Sequence, residues 1–200
     1  MSGATPHSQL PPATLPLRWQ RSMGAVLLVL WLGMAWQKTA ANLLPELCWL
    51  CHVSSFALAL GLLANWRTLL GIACLLQWAV AVPVYVGWLL LGGHSLPWSL
   101  ALHVTAPLFG AMACWRQRLP FQAIWLAMAS VVLLWLATRL CLPAEMNVNF
   151  AFQPLALVPQ AGWMNWILDF LLLGGVLAVW RQGWNWLSCI SRQDHVNPPS

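Results

Sequence analysis

The stretch TLLGIACLLQWAVAVPVYVGWLLL, Thr68–Leu91, contains no Asp, Glu, Lys or Arg. A helix crossing a bilayer needs ~20 predominantly apolar residues, and this run meets that length. Working outward, five further stretches approach or reach it: Met23–Trp36 and Leu44–Leu63 upstream, then Pro97–Trp115, Leu119–Leu140 and Trp163–Trp180 downstream. None alternates apolar and polar residues as a barrel strand does, so the backbone must satisfy itself in helices. The expectation is an all-α membrane protein, a bundle of six transmembrane helices.

Composition agrees. Of 200 residues, 60% are hydrophobic and only 6% are charged, against roughly 25% charged in a soluble domain. That excludes a soluble globular enzyme and a disordered chain. The net charge of +5 comes from scattered residues rather than a basic patch, which argues against nucleic acid as a partner.

The cations set direction. With a cytoplasmic N-terminus, Arg18, Arg21, Arg67, Arg116, Arg118, Arg181 and Arg192 fall inside, and only Lys38 and Arg139 fall outside. The positive-inside rule then places both termini in the cytoplasm. Trp residues gather near the expected span ends, as Trp36, Trp49, Trp98 and Trp163 do outside and Trp19, Trp66, Trp180 and Trp184 do inside. Trp31, Trp78, Trp125 and Trp135 fall mid-span and read as packing residues. Lys38 is expected to snorkel to the interface. Residues 1–17, rich in Pro, Ser and Thr, read as a disordered cytoplasmic tail rather than a signal peptide, since no small-x-small site follows Trp36. Residues 18–181 form the helical domain. Residues 182–200 read as an interfacial segment and polar tail, with a short interfacial helix over Arg181–Ile190.

Polar residues inside a bilayer are costly and count as functional candidates. Here they share a depth. Cys48, Cys51 and His52 begin the second span, Tyr85 precedes the end of the third, His103 follows the start of the fourth, and Asp169 follows the start of the sixth. At 1.5 Å per residue all lie roughly 5–12 Å below the outer surface. The outer loops add His94, Glu145, Asn147 and Asn149. Cys48, Cys51, His52 and Ser55 follow i, i+3, i+4, i+7 spacing, and Asn165 and Asp169 are four apart, which predicts polar faces on spans two and six. The expectation is an outward-facing polar pocket between spans two, three, four and six. The plainer readings are interhelical hydrogen bonding for His52 and Gln77, a helix-dipole role for Glu46, and small apolar packing for Cys74, Cys114 and Cys189.

Three chemistries can use such a pocket. In nucleophilic catalysis a thiol, Cys51, gives its proton to an imidazole, His103, which a carboxylate, Asp169, orients. Asn147 and Asn149 then stabilise an oxyanion, with Cys48, His52 and Tyr85 lining the pocket. The depth suits lipid ester carbonyls, so membrane lipids are the expected partners, and nothing points to a soluble protein partner. In disulfide exchange, Cys48-Trp49-Leu50-Cys51 is a CxxC on the oxidising face of a bacterial inner membrane. A quinone would then accept electrons, but only Cys141 offers a further outer thiol. In the third, Cys48 to His52 reads C-x-x-C-H, the attachment motif of covalent haem, although attachment needs an exposed flexible segment. The primary expectation is an acyl-transfer site with no metal and no cofactor. A carrier that binds a small molecule in the same pocket is a separate alternative.

The stretch Pro45-Glu46-Leu47-Cys48-Trp49-Leu50-Cys51-His52 resembles the YwaF-type integral membrane proteins and their eukaryotic transmembrane acyltransferase relatives. Leu102-His103-Val104 looks like the His of that family. Asn147-Val148-Asn149-Phe150, followed by Gly162-Trp163, looks like its Asn-x-Asn-aromatic loop and last span. The resemblance covers about Leu44 to Trp180. It implies a Cys and His pair that transfers or hydrolyses lipid acyl chains. The position after the Cys, usually acidic in the family, is His52 here.

Overall fold

A computed structural model describes residues 15–90, 92–93, 95–115, 119–146, 148 and 164–196, with the backbone alone for Met146, Met164 and residues 190–196. Its described elements are helical. Helix α1 spans Leu17–Ala40, and a 3-10 turn follows over Leu44–Cys48. Helix α2 spans Leu50–Ala64. Helices α3 (Arg67–Leu76) and α4 (Val82–Leu90) are joined by a π turn over Gln77–Ala81 into one rod. Helices α5 (Pro97–Cys114), α6 (Gln122–Cys141) and α7 (Met164–Val196) complete the chain.

Four of these rods, Leu17–Ala40, Arg67–Leu90, Gln122–Cys141 and Asn165–Cys189, are long and apolar enough to cross a membrane. Helix α2 is apolar but has 15 residues. Its turn-rich entry explains the shortfall from the expected Leu44–Leu63. Pro45 sits in the 3-10 turn, and Trp49 is extended at φ −58° and ψ 137°, so regular helix begins only at Leu50. Pro97 sits at the start of α5, where its missing N–H costs nothing. Helix α2 ends on Asn65, whose left-handed φ of 52° reverses the chain tightly into α3.

The π turn has a local cause. Pro83 has no N–H to give to the carbonyl four residues earlier, and widening the helix ahead of it relieves that mismatch.

Helix α1 packs against α2 and α5, α2 against α3, and α3 against α5 and α6; α7 packs against α6, α3 and the π turn. Leu27, Met34, Leu58, Leu62, Leu70, Leu102 and Leu177 are fully buried at the centre. Gly24 brings α1 onto α2, since a Cβ there would lie 2.9 Å from the Ala59 carbonyl oxygen.

Two expectations are corrected by this arrangement. No break falls near Arg181; α7 runs on as one helix to Val196. Its last turns hold the α5–α6 connection instead of lying apart at an interface. Asn185 Oδ1 accepts from the Leu119 amide at 2.8 Å, Asn185 Nδ2 and Arg181 Nε donate to the Leu119 carbonyl, and Ser188 Oγ donates to Trp115 O. Trp184 is likewise buried rather than interfacial, donating Nε1 to Cys114 O at 3.2 Å. The tail expected over residues 1–17 falls largely outside the described residues. Of it, Leu15 packs on the core and Leu17 opens α1.

Candidate functional site: a Cys–His–His cluster

One end of the bundle gathers the finish of α1, the 3-10 turn, the start of α2, the finish of α4 and the start of α5. The ligand atoms of Cys51, His52 and His103 meet there, all within 4.8 Å of one another. His52 is 3% exposed and His103 8%. Their rings lie edge to face with centroids 5.3 Å apart.

Each imidazole is held by a backbone carbonyl. His52 Nδ1–H donates to Glu46 O at 2.7 Å, and His103 Nδ1–H donates to Ser99 O at 2.7 Å. A carbonyl can only accept, so both rings carry a proton on Nδ1, and in the neutral form of each ring the lone pair is on Nε2. His103 Nε2 is buried with no hydrogen-bond partner. Tyr85 stacks on the His103 ring, and its hydroxyl donates to Ser95 Oγ.

The surroundings of Cys51 are equally fixed. Ser55 Oγ donates to the Cys51 carbonyl at 2.7 Å, and Gln77 Nε2 reaches from the π turn to Cys51 O, Ser54 Oγ and Ser55 Oγ. Gln77 is thus the interhelical hydrogen bonder its mid-span position suggests. Trp31 on α1 donates Nε1 to His52 O at 3.0 Å. Lys38, expected to snorkel, is buried instead and forms an ion pair with Glu46. Its partner lies on the next turn, so the ammonium need not reach water.

Of the residues singled out by sequence, Cys51, His52, Tyr85 and His103 come together. Cys48 does not share their helix face. It ends the 3-10 turn, and the extended Trp49 separates it from α2. No disulfide joins Cys48 to Cys51. Asp169 lies on α7 and is not a member of the cluster, and the buried Asn165 lies on the same helix. The Nδ1–H of His103 is held by the Ser99 carbonyl. Asn147, Asn149 and His94 lie outside the described residues. The covalent haem reading fits poorly, because attachment needs an accessible segment and His52 is packed between helices.

Sequence reasoning missed Trp31, Lys38 and Ser99. The helical spacing of Trp31 and Lys38, seven residues apart on α1, was an available signal. The carbonyls of Glu46 and Ser99 leave no trace in residue type. The mid-span Trp residues were read as packing groups, yet Trp31 and Trp78 both donate across helices, Trp78 to Pro107 O at 3.0 Å. Cys74 and Cys114, which read as small apolar residues, are both buried.

Comparison with protein-family models, curated proteins and solved structures finds no match to this chain.

Chemically, the cluster offers a thiol, two imidazoles whose Nδ1–H groups are each held by a backbone carbonyl, and an ion pair at its rim. A thiol beside an oriented imidazole can be deprotonated for attack. A thiol with two imidazoles is also a donor set for a soft metal ion.

Proposed function

We propose that this chain is a six-span integral membrane protein of the YwaF type, with both termini cytoplasmic in a cell membrane, the bacterial inner membrane, and that it transfers lipid acyl groups through a thioester on Cys51. The apolar rods and the positions of Arg and Lys support the topology. The observation that carries the chemistry is the approach of Cys51 to His103, whose Nε2 is unpartnered while Ser99 holds its Nδ1–H.

His103 Nε2 takes the thiol proton, and Sγ attacks the ester carbonyl of a membrane lipid. The carbonyl–oxygen bond breaks, the departing alcohol takes the proton from His103, and the acyl chain stays on Cys51 as a thioester. A second alcohol or water then gives a proton to His103 and attacks the thioester. Cys51 is released and reprotonated. The Ser99 carbonyl takes the orienting part that a carboxylate has in other triads, since it holds one tautomer and one ring angle.

The test uses purified protein in lipid nanodiscs with an alkyne-tagged phospholipid. Hydroxylamine-sensitive label should appear on the wild type and on Cys189→Ser. It should vanish in Cys51→Ser and His103→Ala, and undiminished label in either removes the assignment.

A further inference from the structure

We propose that Cys51, His52 and His103 form a site for a soft monovalent metal ion, Cu(I), held by one thiolate and two imidazoles. This goes beyond acyl transfer and does not depend on it, although both use the same thiol.

Three observations carry it. The donor atoms of the three residues already lie within 4.8 Å of one another. Around a three-coordinate metal, with bonds of ~2.0–2.3 Å, donors stand about 3.7 Å apart. Closure by roughly 1 Å completes the geometry.

Both rings are also prepared as ligands usually are. A metal-bound imidazole commonly donates its other N–H to a carbonyl or carboxylate, which fixes the tautomer and aims the lone pair. His52 does this to Glu46 O and His103 to Ser99 O, each at 2.7 Å. Two independent helices supply the same arrangement. His103 Nε2 is left buried with no hydrogen bond, an acceptor that a metal would satisfy.

Charge selects the metal. Binding follows Cys51–SH + Cu⁺ → Cys51–S–Cu + H⁺, so one proton leaves and the filled site is neutral. Neutrality matters in a low-dielectric interior, where a net charge is heavily penalised. A divalent ion on the same donors would leave one positive charge. Lys38 lies at the rim, with its own charge already matched by Glu46, and no further anion in the cluster could offset a second. Thiolate with imidazole is also a donor set that suits Cu(I). A filled site has no free thiol, so the metal and the acyl group exclude one another.

The experiment titrates full-length protein in detergent, under reductant, with Cu(I) against bicinchoninate, and in parallel with Zn(II) against a zinc indicator. One Cu(I) per chain is expected. Cys51→Ser and His103→Asn should each weaken binding at least 100-fold, and Cys189→Ser should stay within threefold. X-ray absorption on the wild type, which needs no variant to fold, should show one sulfur and two nitrogen neighbours. Sulfur-only coordination, Zn(II) binding tighter than Cu(I), or equal affinity in folded Cys51→Ser overturns the proposal. Loss of acyl labelling with Cu(I) binding intact would remove only the catalytic reading. Labelling without Cu(I) binding would remove only this one.

Discussion

Tyr85 lies flat against the His103 imidazole, with ring centroids 3.7 Å apart and planes 9° from parallel. The stack covers one face of the ring, and Ser99 fixes its in-plane rotation, so His103 keeps little freedom. Stacked pairs contribute about 0.5–1.5 kcal/mol beyond their buried area. Tyr85→Ala should therefore slow acyl labelling roughly 2- to 12-fold, converting that energy at about 1.4 kcal/mol per tenfold. Tyr85→Phe keeps the stack and loses only the bond to Ser95, so its rate should stay within about twofold of the wild type on the same scale. Labelling time courses on the two variants decide between stacking and the hydroxyl.

The Lys38–Glu46 pair closes the rim. Lys38 is well buried and the Glu46 side chain is 29% exposed, so its worth should fall between exposed and fully buried pairs. Lys38→Met should cost about 1–3 kcal/mol, because it leaves a half-buried carboxylate without its cation. The double variant Lys38→Met with Glu46→Leu should recover most of that loss. Thermal unfolding of the four proteins in one detergent forms the cycle, and equal losses in single and double variants would contradict it.

Gly24 and Gly33 both bring α1 close to a neighbour, against different atoms. A Cβ at Gly24 meets the backbone oxygen of Ala59, whereas one at Gly33 meets the ring of Trp98, a side chain that is 43% exposed and can swing aside. Gly24→Ala should cost about 1–3 kcal/mol, the usual range for overpacking. Gly33→Ala should cost less. Unfolding midpoints in the reverse order would show that Trp98 is the more rigid neighbour.

At the opposite end, Asn185 serves both the amide and the carbonyl of the buried Leu119. Asn185→Ala leaves that amide unpaired and should cost about 1–3 kcal/mol. Amide exchange at Leu119 should quicken with it, while Trp186→Ala, at an exposed position on the same helix, should leave that exchange unchanged.

Much of the fold was legible because bilayer solvation leaves a coarse signal. Apolar length marked the long rods, although their bounds moved by several residues. Depth along each rod is enough to bring Cys51, Tyr85 and His103 to one level. What stayed hidden lacked such a signal. Hydropathy does not register the extended Trp49, so Cys48 looked like a member of the α2 face; Pro45 was the only local hint. Arg181, Gln182 and Gly183 resemble the end of a span, yet α7 continues through them, and Arg181 and Asn185 both bond to the α5–α6 connection. The roles of Glu46 and Ser99 rest on backbone oxygens, which every residue type carries. The burial of Lys38 depended on a partner in a neighbouring segment, which linear charge counting treats as separate.

The widened turn at Gln77–Ala81 also governs how the third rod can change length. It accommodates an additional residue with little added rise, and each residue of ordinary helix advances the azimuth by about 100°. Removing one residue between Gln77 and Ala81 would leave the rod nearly as tall and still apolar. It would also leave everything beyond it near its present azimuth, because four residues of ordinary helix sweep almost the same angle as the five of the wide turn; removing one residue at Val82 or Val84, in ordinary helix, would instead turn Tyr85 by about 100° and off the imidazole. Single-residue deletions inside the wide turn and just beyond it would thus look alike in a hydropathy screen, yet only the second would dismantle the site.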